Sequence, residues 1–163
     1  MIKAAVVCVS DRSYNGQRED LSSPAVIRAL GDICQTVKSV CVADEEDMIA
    51  AVLRQLCDSG EVDIVFTTGG TGIAPRDVTP EATLSVADRQ VPGIAQAMRQ
   101  KSLEITPRAM LSRAVCAVRS GTLIINLPGS PKAVCECIEI VKPVLQHAVR
   151  LLHGEVTDCG STS

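Results

Sequence analysis

Thr67-Thr68-Gly69-Gly70-Thr71-Gly72-Ile73-Ala74-Pro75-Arg76-Asp77-Val78-Thr79-Pro80-Glu81 is the stretch whose reading decides the fold. It follows Val62 to Thr68, an apolar and β-branched run that reads as a strand buried on both faces. Three glycines in four residues let the main chain turn sharply and aim its amides outward, as a nest for phosphate oxygens does. The spacing is neither a Walker A loop nor a dinucleotide fingerprint. On composition alone an ordinary strand-to-loop turn therefore stays open. The continuation adds a cation, Arg76, and a carboxylate, Asp77, just before a helix start at Thr79-Pro80. Phosphate, cation and Mg²⁺ chemistry can all meet at such a place.

Working outward, Ile2 to Ser10 and Thr36 to Val42 are further strand-like apolar runs, also read as buried on both faces. Between them, Pro24 to Leu30 starts behind Ser23 as N-cap, and Gly31 ends it. Glu45 to Ser59 sets Met48, Ile49, Val52, Leu53 and Leu56 on one stripe. After the glycine loop come helices at Pro80 to Ala87 and Gly93 to Glu104, then a short turn after Thr106-Pro107. Ala114 to Arg119 and Thr122 to Leu127 flank Ser120-Gly121, a two-residue hairpin signal. Pro131 to Leu152 follows Ser130 as a long amphipathic helix that Pro143 should bend. The alternation predicts an α/β fold: a three-layer, open, mostly parallel sheet with one antiparallel hairpin strand and helices on both faces. Ligands of such sheets bind at the carboxyl ends of the strands. Residues 1–155 read as a single domain and 156–163 as a loose tail.

Composition narrows the function classes. The chain of 163 residues has a net charge of −3, one Phe, one Tyr and no Trp. That excludes the basic field and stacking aromatics of a general nucleic-acid binder. Apolar stretches such as Ala4 to Val9 fall far short of the roughly 20 residues that span a bilayer, so no membrane segment is expected. Met1-Ile2-Lys3 leads directly into the first strand without the zones of a signal peptide, and a cytoplasmic location is expected. The eight cysteines form no CxxC pair. Cys135 and Cys137 lie two apart on a helix and face different ways, so reduced, small hydrophobic thiols are expected rather than a metal site.

The run TTGGTGIAPRDVTPEAT resembles the signature of the molybdenum-cofactor biosynthesis family, specifically its molybdopterin adenylyltransferases of the MogA type and the gephyrin G domain. Three more matches occur in order: Ser10-Asp11 with Gly16, Asp20 and Pro24; Ala43-Asp44-Glu45; and Asn126-Leu127-Pro128-Gly129-Ser130-Pro131-Lys132. The resemblance covers residues 3 to 153. It implies a nucleotide and pyrophosphate loop at Gly69, Gly70, Thr71 and Gly72, and two functionally critical aspartates at Asp44 and Asp77. It implies a second loop, associated with the pterin, at Pro128, Gly129 and Ser130, and a first loop at Ser10 and Asp11. Members usually carry Ser-Gly-Pro where this chain has Ser22-Ser23-Pro24.

The resemblance further implies AMP transfer from ATP to the terminal phosphate of molybdopterin, with Mg²⁺ held in part by Asp77. A homotrimer and hand-over of the product to a molybdenum insertase belong to the same implication. A non-catalytic molybdopterin-binding protein of this fold is the alternative. An inserting enzyme would need domains beyond 163 residues. From position alone Asp44 also reads as a helix N-cap, and Asp77 as a solvated loop carboxylate. Arg12, Arg76 and Lys132 are candidate phosphate contacts, and His147 and His153 lie away from every loop named.

Overall fold

The computed structural model describes residues 1–155. Its strands are β1 (Ile2–Val9), β2 (Cys34–Val42), β3 (Ile64–Thr68), β4 (Arg89–Gln90), β5 (Cys116–Arg119) and β6 (Thr122–Leu127). Its helices are α1 (Asp11–Tyr14), α2 (Ser22–Leu30), α3 (Glu46–Asp58), α4 (Thr79–Val86), α5 (Pro92–Leu103) and α6 (Pro131–Leu152), with 3₁₀ turns at Gly31–Ile33 and Pro107–Leu111. The tail expected over 156–163 lies outside the described residues.

The sheet order is β2-β1-β3-β6-β5-β4. β2, β1, β3 and β6 run parallel, and β5 is antiparallel to both its neighbours. The hairpin turns at Ser120 and Gly121, with φ of 49° and 80°, the double positive φ that matches the twist of flanking strands. Alternate residues of each strand feed two cores, as the two-residue period of a strand requires. Ala4, Val6, Ile64, Phe66, Leu123 and Ile125 pack under α2, α5 and α6. Ala5, Val7, Val65 and Ile124 pack under α3 and α4. Phe66, Leu53, Ile138 and Leu145 are wholly buried, and burial of side chains of this size contributes about 1.5–3 kcal/mol each.

Several local expectations change. β2 is not buried on both faces: it is the sheet edge, it carries exposed Lys38, and its register slips by one residue between the Thr36 and Lys38 pairings. The extra residue, Val37, is exposed, which is how bulges blunt an edge. Ser23 does not cap α2. The helix starts at Ser22 with Leu21 at the cap position, and the Asp20 carboxylate accepts the Ser22 and Ser23 amides at 3.0 Å each. Asp44 does not cap α3 either, because Glu45 holds that position and makes no side-chain cap. Thr79 is the first residue of α4 rather than its cap. The short α1, capped by Ser10, and the two-residue β4 carry too little periodicity to be seen in sequence. α6 starts behind the Ser130 cap as expected and continues through Pro143.

Candidate active site

The chain leaves β1 toward β2 on one side and returns to β3 on the other, so the loops after β1 and β3 diverge at the switch point where open α/β sheets bind ligands. Four loops meet at this end of the sheet: Ser10-Asp11 after β1, Asp44 after β2, Gly69 to Asp77 after β3, and Pro128 to Ser130 after β6.

They are tied directly to one another. The Asp11 amide donates to Asp44 Oδ2 at 2.8 Å, and the Asp44 amide donates to Asp11 Oδ1 at 3.0 Å. Arg76 donates through Nε to Asp11 Oδ2 at 2.6 Å and through Nη2 to Glu45 Oε1 at 2.8 Å. Ser22 Oγ donates to the Gly129 carbonyl at 2.5 Å. The glycines are demanded by these approaches. A Cβ on Gly69, whose φ is +90°, would stand 2.5 Å from the Val9 carbonyl oxygen. One on Gly70 would collide with Thr79 Oγ1 and stand 3.4 Å from Asp44 Oδ1, and one on Gly72 would stand 2.8 Å from Asp77 Oδ2. Each aspartate thus lies against one glycine of the same loop. The amides of Gly70, Thr71 and Gly72 meet no acceptor among the described residues, which leaves them open as donors.

Two pockets share this loop. A polar pocket of about 370 Å³ is lined by Ser10, Asp20, Asp44, Gly70, Asp77 and Ser130, among others. An apolar pocket of about 270 Å³ is lined by Thr71, Gly72, Met98, Leu111, Ser112 and Pro128, among others. The structure therefore brings Ser10, Asp44, Gly70, Asp77, Gly129 and Ser130 to the first and Thr71, Gly72 and Pro128 to the second. Gly69 serves as the hinge against β1, and Asp11 lies beside the polar pocket as the anchor of Asp44.

Burial pushes the Asp44 carboxyl above its ordinary value; the Asp11 amide pulls it down, while the charges of Asp11 and Asp77 raise it further. Asp44 thus feels the charge of Asp77 across the pocket. Asp11 is held below its ordinary value by the Arg76 guanidinium and then by the Asp44 amide. Arg76 is consequently committed to carboxylates in this state, and Lys132 and Arg12 are exposed. His147 is exposed, and His153 lies 3.2 Å from Asp63 at the far end of β3.

Three residues that hold the site had no role in the sequence reading, although Asp20 and Asn126 stood within its matched motifs. Arg113 donates to the Gly72 and Asp77 carbonyls and pairs with Glu81. Asp20 holds the start of α2 and lines the polar pocket. Asn126, wholly buried, donates to Thr67 Oγ1 at 3.0 Å and Thr83 Oγ1 at 2.9 Å, pinning β3 to α4. Asp20 left a signal as part of a matched motif, and Asn126 a second one as a polar residue inside the apolar run Thr122 to Leu127, whereas Arg113 left none.

Glycine-rich turns and paired carboxylates at the carboxyl ends of a parallel sheet define a phosphate-handling α/β protein. The chain belongs to a specific family of that class: residues 5–147 match the family described as "Probable molybdopterin binding domain". It is 43% identical over 156 residues to a molybdopterin adenylyltransferase of Helicobacter pylori strain J99, covering 94% of this chain and 89% of that one. It is 42% identical to the molybdopterin adenylyltransferase of Escherichia coli K12, over 94% of this chain and 79% of that one. A crystal structure of the molybdopterin biosynthesis enzyme MoaB from Thermus thermophilus superposes with a TM-score of 0.89 at 46% identity, covering 94% of this chain and 98% of that one.

Proposed function

We propose that the chain is a molybdopterin adenylyltransferase of molybdenum-cofactor biosynthesis, acting as one domain over residues 1–155. Support comes from one observation above others: Asp44 and Asp77 lie against Gly70 and Gly72, two glycines of a single phosphate-type loop, in a chain whose relatives of more than 40% identity carry that name. In the reaction, an oxygen of the terminal phosphate of molybdopterin attacks the α-phosphorus of ATP. The new P–O bond forms as the bond to the β-phosphate breaks, and pyrophosphate leaves. The attacking group is already an anion, so alignment and charge neutralisation matter more than a general base.

The free amides of Gly70, Thr71 and Gly72 hold phosphate oxygens, and the polar pocket takes the phosphates of both substrates. The apolar pocket takes a flat ring system on the other side of the same loop. Four carboxylates, Glu19, Asp20, Asp44 and Asp77, line the polar pocket against one arginine, Arg18, and this excess of negative charge would repel phosphates unless a further cation intervened. Among the described residues no three acidic, His or Cys side chains form a closed metal site. That donor set still fits Mg²⁺, which takes one or two carboxylates and completes its shell with phosphate oxygens and water. Asp77 and Asp44 would hold the ion, which supplies charge neutralisation for the transferred phosphoryl group. On the family resemblance we further propose a cyclic homotrimer, a cytoplasmic location and transfer of the product to a molybdenum insertase. Among the described residues no helix is long and apolar enough to cross a membrane.

Pyrophosphate release with ATP, Mg²⁺ and molybdopterin tests the reading. The wild type turns over, and Asp77→Asn, which retains an oxygen to accept the Ala74 amide, loses about a hundredfold or more in rate while still binding molybdopterin. Binding of molybdopterin without any pyrophosphate release by the wild type would instead identify a non-catalytic binding protein. Light scattering at micromolar concentration decides the assembly, and a monomer refutes the trimer.

A further inference from the structure

Arg113 touches the glycine loop at more points than any residue so far assigned to the site, and it does so at the partition between the two pockets. Its amide donates to the Thr71 carbonyl at 2.8 Å. Its Nε donates to the Gly72 carbonyl at 2.7 Å, and its Nη2 to the Asp77 carbonyl at 2.6 Å. The remaining face of the guanidinium pairs with Glu81 in the first turn of α4. Between the gripped points, Ile73 to Arg76 is exposed, and the guanidinium spans the base of that excursion beside Thr79, whose amide donates to the Gly70 carbonyl at 3.1 Å and whose Oγ1 donates to the Gly69 carbonyl at 2.9 Å.

Two consequences follow from which atoms are used. The grip on Asp77 is on its carbonyl, so the carboxylate stays available, accepting only the Ala74 amide at 3.0 Å among the described residues. The same grip fixes how closely Gly72 lies against that carboxylate, at the spot where a Cβ would stand 2.8 Å from Oδ2. The charge of Arg113 is already matched by Glu81, so it serves as a fork rather than as a free cation for phosphate.

The segment that carries Arg113 belongs to the other pocket. Leu111, Ser112 and Ala114 line the apolar cavity together with Thr71 and Gly72, and Arg99 of α5 ties the segment down by donating to the Ala114 carbonyl at 2.7 Å. A ring system settling in that cavity therefore meets both the strand of chain that carries the fork and the loop that the fork holds. Asp77 and Gly70, on the opposite side of the loop, face the polar pocket.

We propose that Arg113 is a positioning residue that couples the two pockets: occupation of the apolar cavity is passed through its guanidinium to the Gly72 and Asp77 main chain, and so tightens capture of Mg²⁺ and phosphate on the polar side. This rests on the reading of the polar pocket as a phosphate site, and it deepens that reading by making the order of substrate binding matter. Coupling of this kind is reciprocal and typically amounts to about 5–150-fold in affinity.

The test uses binding alone, so its outcome is separable from whether the chain turns over ATP. Calorimetric titration of the whole chain with Mg²⁺-pyrophosphate is carried out alone, with saturating adenosine and with a saturating soluble pterin. In the wild type, at least one of the two ring compounds tightens pyrophosphate binding by about fivefold or more. Arg113→Lys keeps a positive charge but loses the fork, and the tightening falls to less than twofold, while each ligand alone binds within about threefold of the wild type. Glu81→Gln weakens the ion pair behind the fork without removing the fork, and it keeps the tightening even where thermal unfolding is lowered. Absence of coupling in the wild type, its survival in Arg113→Lys, or its equal loss in Glu81→Gln overturns the proposal. The Glu81→Gln result keeps the question decidable if Arg113→Lys does not fold.

Discussion

Alanine at Gly69 provides a direct measure of how tightly the phosphate loop is sprung against β1. At φ +90° an L-residue enters the left-handed region at a cost of about 1–2 kcal/mol. The new Cβ would also stand 2.5 Å from the Val9 carbonyl oxygen, closer than the 3.0 Å below which real Cβ contacts do not go. Both partners are main chain in the densest part of the sheet, so neither can rotate away, and overpacking of this kind costs about 1–3 kcal/mol more. The sum centres on about 3.5 kcal/mol, which in a chain of this length lowers the melting temperature by about 7–14 °C. Gly121→Ala is the matched control: its φ is +80° but nothing lies within 4 Å of the added Cβ, so only the backbone term remains, about 1–2 kcal/mol. Thermal unfolding of the two variants side by side isolates the collision. Because displacement of the loop by a fraction of an ångström misaligns the phosphates, Gly69→Ala should also lose about a hundredfold in pyrophosphate release, whereas Gly121→Ala retains it. Equal melting temperatures for the two, with activity kept in Gly69→Ala, would refute the reasoning.

Three further outcomes are expected. Asn126→Ala leaves the Thr67 hydroxyl and the Val115 amide without their partner, takes one donor from the Thr83 hydroxyl, which still donates to the Thr79 carbonyl, and costs about 3 kcal/mol, read by urea unfolding; a change below about 1 kcal/mol would deny Asn126 its pinning role. Asp44 has a raised folded-state value, so its proton stabilises the fold below the unfolded value, and that contribution is lost as pH rises through the raised one. Asp44→Asn should therefore gain in melting temperature relative to the wild type as pH rises from the ordinary carboxylate value through the raised one, and a gap that narrows or reverses on that rise contradicts the assignment. Burial pushes the Cys8, Cys57 and Cys116 thiols up to about 12 and Cys34 up to about 11, so none of the four should be alkylated by iodoacetamide at about pH 8 while the chain is folded. Rapid labelling of any of them, followed by mass spectrometry, would show that site to be open.

The parts of this structure that were legible in the sequence are those whose cause is local. Gly69, Gly70 and Gly72 could be read because a turn under positive φ, or beneath a carboxylate, demands glycine at the residue itself. The strands β1, β3 and β6 could be read because near-complete burial leaves a mostly apolar run, broken by Lys3 in β1 and Asn126 in β6, whereas β2, at the edge, departed from that rule with Lys38 and its bulge. The clasp between Asp11 and Asp44 joins residues 33 apart and leaves no periodic trace, so Asp44 looked like an N-cap that it is not. Arg113 sits after a 3₁₀ turn among small polar residues, a context indistinguishable from solvated surface until the fold sets Gly72, Asp77 and Glu81 around it.

Tyr14 closes the short helix α1, three residues beyond Asp11 at the edge of the polar pocket, and is half exposed. It is the sole tyrosine of a chain without tryptophan, and the single phenylalanine, Phe66, is sealed in the core. The molecule thus carries one tyrosine emitter, and that emitter is the chain neighbour of Ser13, which lines the polar pocket. Excitation of the unmodified chain at ultraviolet wavelengths that tyrosine absorbs and phenylalanine does not addresses the segment after β1 alone, so movement there can be followed through tyrosine emission and anisotropy without an engineered label.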